Sequence, residues 1–119
     1  MEQSLHDAPR PPKQQGDRHN KGKPMLSMVL EAPEALAGIA RVLEFGMNKY
    51  DRSNWKKGLK YTEIIDSMER HLLKIMAGED VDEESGLLHC DHVGCNALFL
   101  AEMMHSRPDM DDRPKPEEK

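Results

Sequence analysis

Between Pro33 and about Lys49, Leu36, Ile39, Ala40, Leu43 and Met47 recur at i, i+3, i+4, i+7 and i+11, the stripe by which a helix turns one face inward. Pro33 suits the first turn of that helix because it has no N–H to leave unpaired. Glu34, Arg41 and Asn48 fall seven residues apart on the opposite face. A turn-rich stretch follows, Asp51 to Asn54, and Gly58 closes the irregular connection. Thr62 is a candidate N-cap for a second helix reaching about Ala77, with Ile65, Met68, Leu72 and Ile75 inward and Gly78 as its stop. An acidic loop from Glu79 to Ser85 then leads into a third helix over about Leu87 to His105. Its expected core stripe is Val93, Ala97, Leu100, Ala101 and Met104; His89, His92 and Asn96 share the strip beside it. The pattern predicts an all-α fold, a helical bundle.

Composition narrows this picture. The chain has 119 residues, 37% hydrophobic and 4% aromatic, which suffices for one domain with a thin core. Pairing of helices between copies, as a homo-oligomer, is therefore expected. Seven of the eight prolines lie before Met25 or after His105, which divides the chain into a flexible N-terminal arm (1–24), a helical domain (25–105) and a disordered charged tail (106–119). A net charge of −5 argues against a general grip on nucleic-acid polymers. No apolar run approaches membrane-spanning length and no signal-peptide core follows Met1, so no membrane partner and a cytoplasmic location are expected. Cys90 and Cys95, both in the third helix, do not suggest a disulfide framework.

The stretch from Met47 to Gly86, continuing into His89 and His92, packs cations, imidazoles and carboxylates more densely than scaffold requires. That mixture suits a phosphorylated, metal-bound small molecule. Neither a G-x-x-x-x-G-K phosphate loop nor a G-x-G-x-x-G occurs, so phosphate must be held by metal and side chains.

Lys23-Pro24, Arg41 to Gly46, Lys49-Tyr50, Asn54-Trp55, Arg70-His71-Leu72-Leu73, Gly78-Glu79-Asp80, Glu84-Ser85-Gly86 and His89 with His92 together resemble the phage dATP/dGTP diphosphohydrolase N-terminal domain family. The resemblance implies a MazG-like, all-helical nucleotide pyrophosphohydrolase that is homo-oligomeric and acts on a purine deoxynucleoside triphosphate, dGTP or dATP, releasing monophosphate and pyrophosphate. Some members, the MazZ type, act in phages whose DNA carries 2-aminoadenine. The resemblance also implies a divalent cation, Mg²⁺ or Mn²⁺, held by E-x-x-E on one helix and E-x-x-D on another. Glu31-x-x-Glu34 and Glu63-x-x-Asp66 match those patterns, with Glu34 and Asp66 as the expected catalytic pair.

A rival set follows from the residues themselves. His71, Glu79, Asp82, Glu84, His89, Asp91 and His92 can gather where the second helix ends and the third begins, a donor mixture suited to Mn²⁺ or another divalent transition metal. An alternative without metal has His89 and His92 hydrogen-bonded to the acidic loop. The order Asp91-His92 is the reverse of the doublet an HD-type triphosphohydrolase needs, and consecutive helical residues diverge by about 100°, so His89, Cys90, His92 and Cys95 cannot surround one zinc. Lys49 and Arg70 are candidates for the phosphates. Asn54 and Trp55 are candidates for the purine, with anchoring of the loop as the other reading of Trp55. A non-catalytic phage accessory protein that binds a nucleotide or a host protein, or an HD-like triphosphohydrolase, is the alternative function.

Overall fold

The computed structural model of the chain describes residues 16–116. Residues 1–15 of the expected arm and the last three of the expected tail lie outside it. Three α-helices are present: α1 (Pro33–Met47), α2 (Tyr61–Met76) and α3 (His89–Ser106), with short 3-10 helices at Leu26–Glu31, Asn54–Lys57 and Pro108–Met110. Among the described residues there is no strand, and a lone antiparallel bridge joins Val81 to Leu88. The fold is all-α, and α3 is its centre, with α1 and α2 each packed against it.

The firmest packing lies where the start of α2 meets the end of α3. Tyr61, Ile64 and Met103 are buried there, joined by Trp55, Leu59, Met68, Phe99, Leu100 and Met110. The α1–α3 contact depends on small residues: an added Cβ at Gly38 would overlap the Asp91 carboxyl, and one at Gly94 would lie 3.1 Å from Ile39.

Helix positions follow the sequence pattern closely, whereas helix faces do not. In α1 the buried residues are Gly38 and Val42, and Ala40 and Met47 are exposed. In α3 the buried line runs through His89, Cys95 and Met103, while Ala97, Ala101 and Met104 are exposed. The strip expected beside the core thus faces it, because α3 is covered on two sides and its polar residues meet polar partners from α2 and the loop. Asn96, for example, donates to the Ser67 hydroxyl of α2 at 3.3 Å.

Thr62 is not the N-cap of α2. The helix begins at Tyr61 after Lys60, whose side chain makes no cap bond. Instead the Asp112 carboxylate accepts from the Thr62 N–H at 2.9 Å and from its hydroxyl at 2.5 Å. The start of the expected disordered tail therefore folds back: Arg107 donates to the Lys57 carbonyl at 2.8 Å, Met110 joins the core, and Arg113 lies over the Tyr61 ring. Its charges are paired locally, Arg107 with Asp109 and Arg113 with Asp111, so the segment packs in spite of its composition.

Several large apolar residues remain exposed, notably Leu26, Met28, Val29, Leu30, Leu73 and Met76. No helix among the described residues is long and apolar enough to cross a membrane.

Candidate metal centre

The end of α2 is built so that its next residue turns toward α3. Gly78 adopts φ +90, which an L side chain resists, and its N–H bonds to Ile75 O while Glu79 N–H bonds to Lys74 O. This is the paired C-terminal closure that a glycine permits. It delivers Glu79 to His89, whose own N–H is bonded to Asp80 O at 2.9 Å. Asp82 then opens a tight loop in which its N–H meets Leu87 O and its carbonyl accepts from Gly86, both at 2.8 Å, with Gly86 at φ +72. The loop ends at α3, so His71 of α2, Asp82 of the loop and His89 of α3 converge.

Ligand-capable atoms of His71, Asp82 and His89 all lie within 4.8 Å of one another. His89 is buried, its Nε2 is 2.6 Å from a Glu79 carboxylate oxygen, and its Nδ1 is 2.8 Å from Nδ1 of His71. Because the carboxylate only accepts, Nε2 of His89 carries the proton, and Nδ1 keeps its lone pair for His71 N–H or for a cation. The His71 ring is stacked on His92, centroids 4.4 Å apart and planes 8° from parallel. Burial first, then the neighbouring His92 and His89, hold His71 below the usual imidazole value. His92 is lowered by burial against the opposing pull of Asp82. Burial alone would raise Asp82, but hydrogen bonds from Ser85 outweigh it and hold its carboxyl below the ordinary value. The directions at His71 and Asp82 favour the deprotonated forms that a cation requires of its ligands.

The donor set fits a divalent transition metal. His71 would have to give up the N–H contact to His89 for both rings to face one ion. The mixed imidazole–carboxylate set suits a divalent transition metal better than Mg²⁺, which prefers oxygen. Glu79, bonded to His89 Nε2, stands where an outer carboxylate would orient that imidazole as a ligand.

Glu31, Glu34, Glu63 and Asp66 are differently placed. All four are exposed, Glu34 and Glu63 in the first turns of α1 and α2, where a carboxylate meets the helix dipole, and no metal-capable group of three among the described residues includes any of them. Glu34 on α1 and Glu63 and Asp66 on α2 belong to helices that pack on α3, whereas Glu31 ends the 3-10 helix that meets α1. Asp91 lies over Gly38, apart from the cluster.

An open depression of about 470 Å³ adjoins the centre, lined by Lys74, Glu79, Asp82, Glu83 and Glu84. Lys74 was not singled out from sequence; its place one turn after Arg70 was the available signal. Arg70 is exposed and directly precedes His71. Lys49 is paired with Glu84, which raises the lysine pKa, and it lies 5.2 Å from the centre of the Phe45 ring. Lys49 and Asn54 line a second open depression, of about 400 Å³. Trp55 packs on Phe99 at 4.8 Å between ring centres, within the core, so the structure favours its anchoring role over purine stacking. Cys90 is exposed, and burial pushes the Cys95 thiol up to about 11.

Fold and site define a small helical protein with a histidine–carboxylate centre beside an open, charged depression. The chain belongs to the family described as dATP/dGTP diphosphohydrolase, N-terminal, which matches residues 13–113. It is similar to the dATP/dGTP diphosphohydrolase of Salmonella phage PMBT28, 37% identical over 98 residues that cover 82% of this chain and 33% of that protein. The chain thus spans about a third of the length of this curated relative. No solved structure matches it.

Proposed function

We propose that this chain binds a divalent transition metal, Mn²⁺ foremost, through His71, Asp82 and His89, and hydrolyses a purine deoxynucleoside triphosphate to the monophosphate and pyrophosphate. The observation that carries the reading is the convergence of three donor atoms from two helices and their connecting loop within 4.8 Å. The relative's name, dATP/dGTP diphosphohydrolase, supports the substrate class. When bound, the ion supplies charge neutralisation for the triphosphate and a lowered pKa for the attacking water.

The chain's own groups do the rest. Glu79 holds His89 in the tautomer that offers Nδ1. His92, stacked on His71 and held below the usual imidazole value by burial, is the nearby ring that would take a proton from the attacking water. Lys74 in the depression and Arg70 nearby neutralise phosphate oxygens, and Lys49 joins them when phosphate displaces Glu84. Asn54, in the adjoining depression, is available to a base edge. The exposed apolar residues of Leu26–Glu31 and of α2 support assembly of a homo-oligomer. Glu31, Glu34, Glu63 and Asp66 would act only if a neighbouring copy brought them together. In a phage that uses 2-aminoadenine, such an enzyme would supply or clear purine nucleotides.

The test incubates the purified chain with each dNTP and Mn²⁺ or Mg²⁺. Monophosphate plus pyrophosphate, lost in Asp82→Asn, is the expected result. Tripolyphosphate plus nucleoside would replace this reading with triphosphohydrolysis. Because the chain spans a third of its relative, a second reading has it bind metal and nucleotide without turnover of its own. Binding without products would select that one.

A further inference from the structure

We propose that Ser85 is a positioning residue of this centre, its hydroxyl shared between Asp82 and His92 so that it aims the carboxylate and selects the ring tautomer of the histidine. The inference rests on the metal reading above for the role of Asp82, but not for the tautomer of His92.

Protons and lone pairs around Ser85 fix which group donates to which. Ser85 Oγ lies 2.8 Å from Asp82 Oδ2 and 2.7 Å from His92 Nε2, and the Leu87 N–H points to it at 3.2 Å. A hydroxyl has one proton to give and two lone pairs. The ionised carboxylate of Asp82 can only accept, so the proton goes there. Both lone pairs then receive donors, one the Leu87 N–H and the other His92, whose Nε2 must carry a proton. Direct contact between His92 Nε2 and Asp82 Oδ2, at 3.7 Å, is too long to replace the bridge.

Two consequences follow. Asp82 Oδ2 accepts from both the hydroxyl and the backbone N–H of Ser85, the latter at 2.9 Å, which leaves Oδ1 free for a cation. His92, held as the Nε2–H form, keeps its lone pair on Nδ1, so that nitrogen is its basic atom. This differs from a hydrolytic triad, in which the acid would hold the histidine Nδ1 and the histidine would accept from serine. Here serine accepts from histidine and donates to the acid, which makes its oxygen a poor nucleophile and a good clamp. Ser85 side chain and backbone also close the loop locally, a structural role that would leave His92 indifferent. The experiment separates the two.

Ring ¹H–¹⁵N spectra of the metal-free, ¹⁵N-labelled chain at pH 7.5 report each histidine tautomer, with His92 assigned by its loss in His92→Gln. The expected result is a single Nε2–H form for His92, which becomes a mixture in Ser85→Ala and is restored in Ser85→Thr. In parallel, Mn²⁺ titration should show affinity falling about ten- to a hundredfold in Ser85→Ala, as for other residues that orient ligands, and returning in Ser85→Thr. An Nδ1–H form of His92 in the unsubstituted chain would overturn the proposal, and so would Ser85→Ala keeping both the single tautomer and the Mn²⁺ affinity. Should the unsubstituted chain bind no Mn²⁺, the metal reading fails while the ring spectra still decide the clamp.

Discussion

The two ends of the α2–α3 pair have the same backbone arrangement and opposite chemistry. At one end Tyr61 and Ile64 of α2 meet Met103 of α3, and the contact is apolar and closed. At the other, one antiparallel pairing further along, His71 meets His89 and His92, and the gap is filled by hydrogen bonds to Glu79 and Ser85. The apolar end gains free energy from area removed from water and needs no precise geometry. The polar end has that geometry, and every buried side-chain nitrogen and oxygen among the described residues has a partner, yet a bonded polar group adds little net stability. One end therefore supports the fold and the other the ligand, and substitutions should separate the two.

The largest expected effect is at the apolar end. Met103 is 1% exposed, and Met103→Ala should lower unfolding free energy by about 2–5 kcal/mol in a urea titration while folded molecules keep their Mn²⁺ affinity. A parallel loss of affinity would show that the two ends are coupled. Next, Glu79→Gln should weaken Mn²⁺ binding about ten- to a hundredfold, since the amide no longer holds the His89 proton as a carboxylate does, with a smaller change in urea midpoint. Trp55→Leu should then cost about 1 kcal/mol from the lost ring contact with Phe99 and leave nucleotide affinity unchanged; a drop in that affinity would return Trp55 to the purine.

The helices were legible because their signals are local; of the apolar end only Met68 and Leu100 lay on the expected stripes, while buried Tyr61, Ile64 and Met103 did not. Period, Pro33 at the start of α1 and Gly78 after α2 lie within a few residues of what they determine. The candidate centre was legible in kind, as His71, Glu79, Asp82, His89 and His92 in one stretch, but not in priority over Glu31, Glu34, Glu63 and Asp66. Carboxylates three apart show that two residues share a helix face, and nothing in such a pair says which helix that face meets. The faces of α3 misled for a related reason: a line bearing His89, His92 and Asn96 reads as a strip beside the core unless its partners, Glu79, Ser85 and Ser67, are known. Asp112 capping α2 joins residues fifty apart, and no propensity encodes that.

The smallest effect, and the one that bears on the polar end alone, comes from acid. His71 and His92 are held below the ordinary imidazole value of 6.5, chiefly by burial, so below pH 6.5 the unfolded chain binds protons that the folded chain refuses. By linkage, stability should begin to fall as pH drops through 6.5 and stop falling once the folded rings are also protonated. Asp82 has the opposite protonation chemistry and the same sign of effect: its folded value lies below the ordinary 3.8, so the stability it contributes is present above 3.8 and lost as pH falls through the folded value. The metal-free chain should therefore lose urea resistance in two separate acid steps. In His71→Gln the upper step should shrink while the lower one persists, since only a ring has been removed. Met103→Ala should shift the whole profile down without changing its shape, because no proton binds at that end. A Met103→Ala profile altered in shape would show that the apolar packing sets how deeply the rings are buried, and the two ends would then be one cooperative unit.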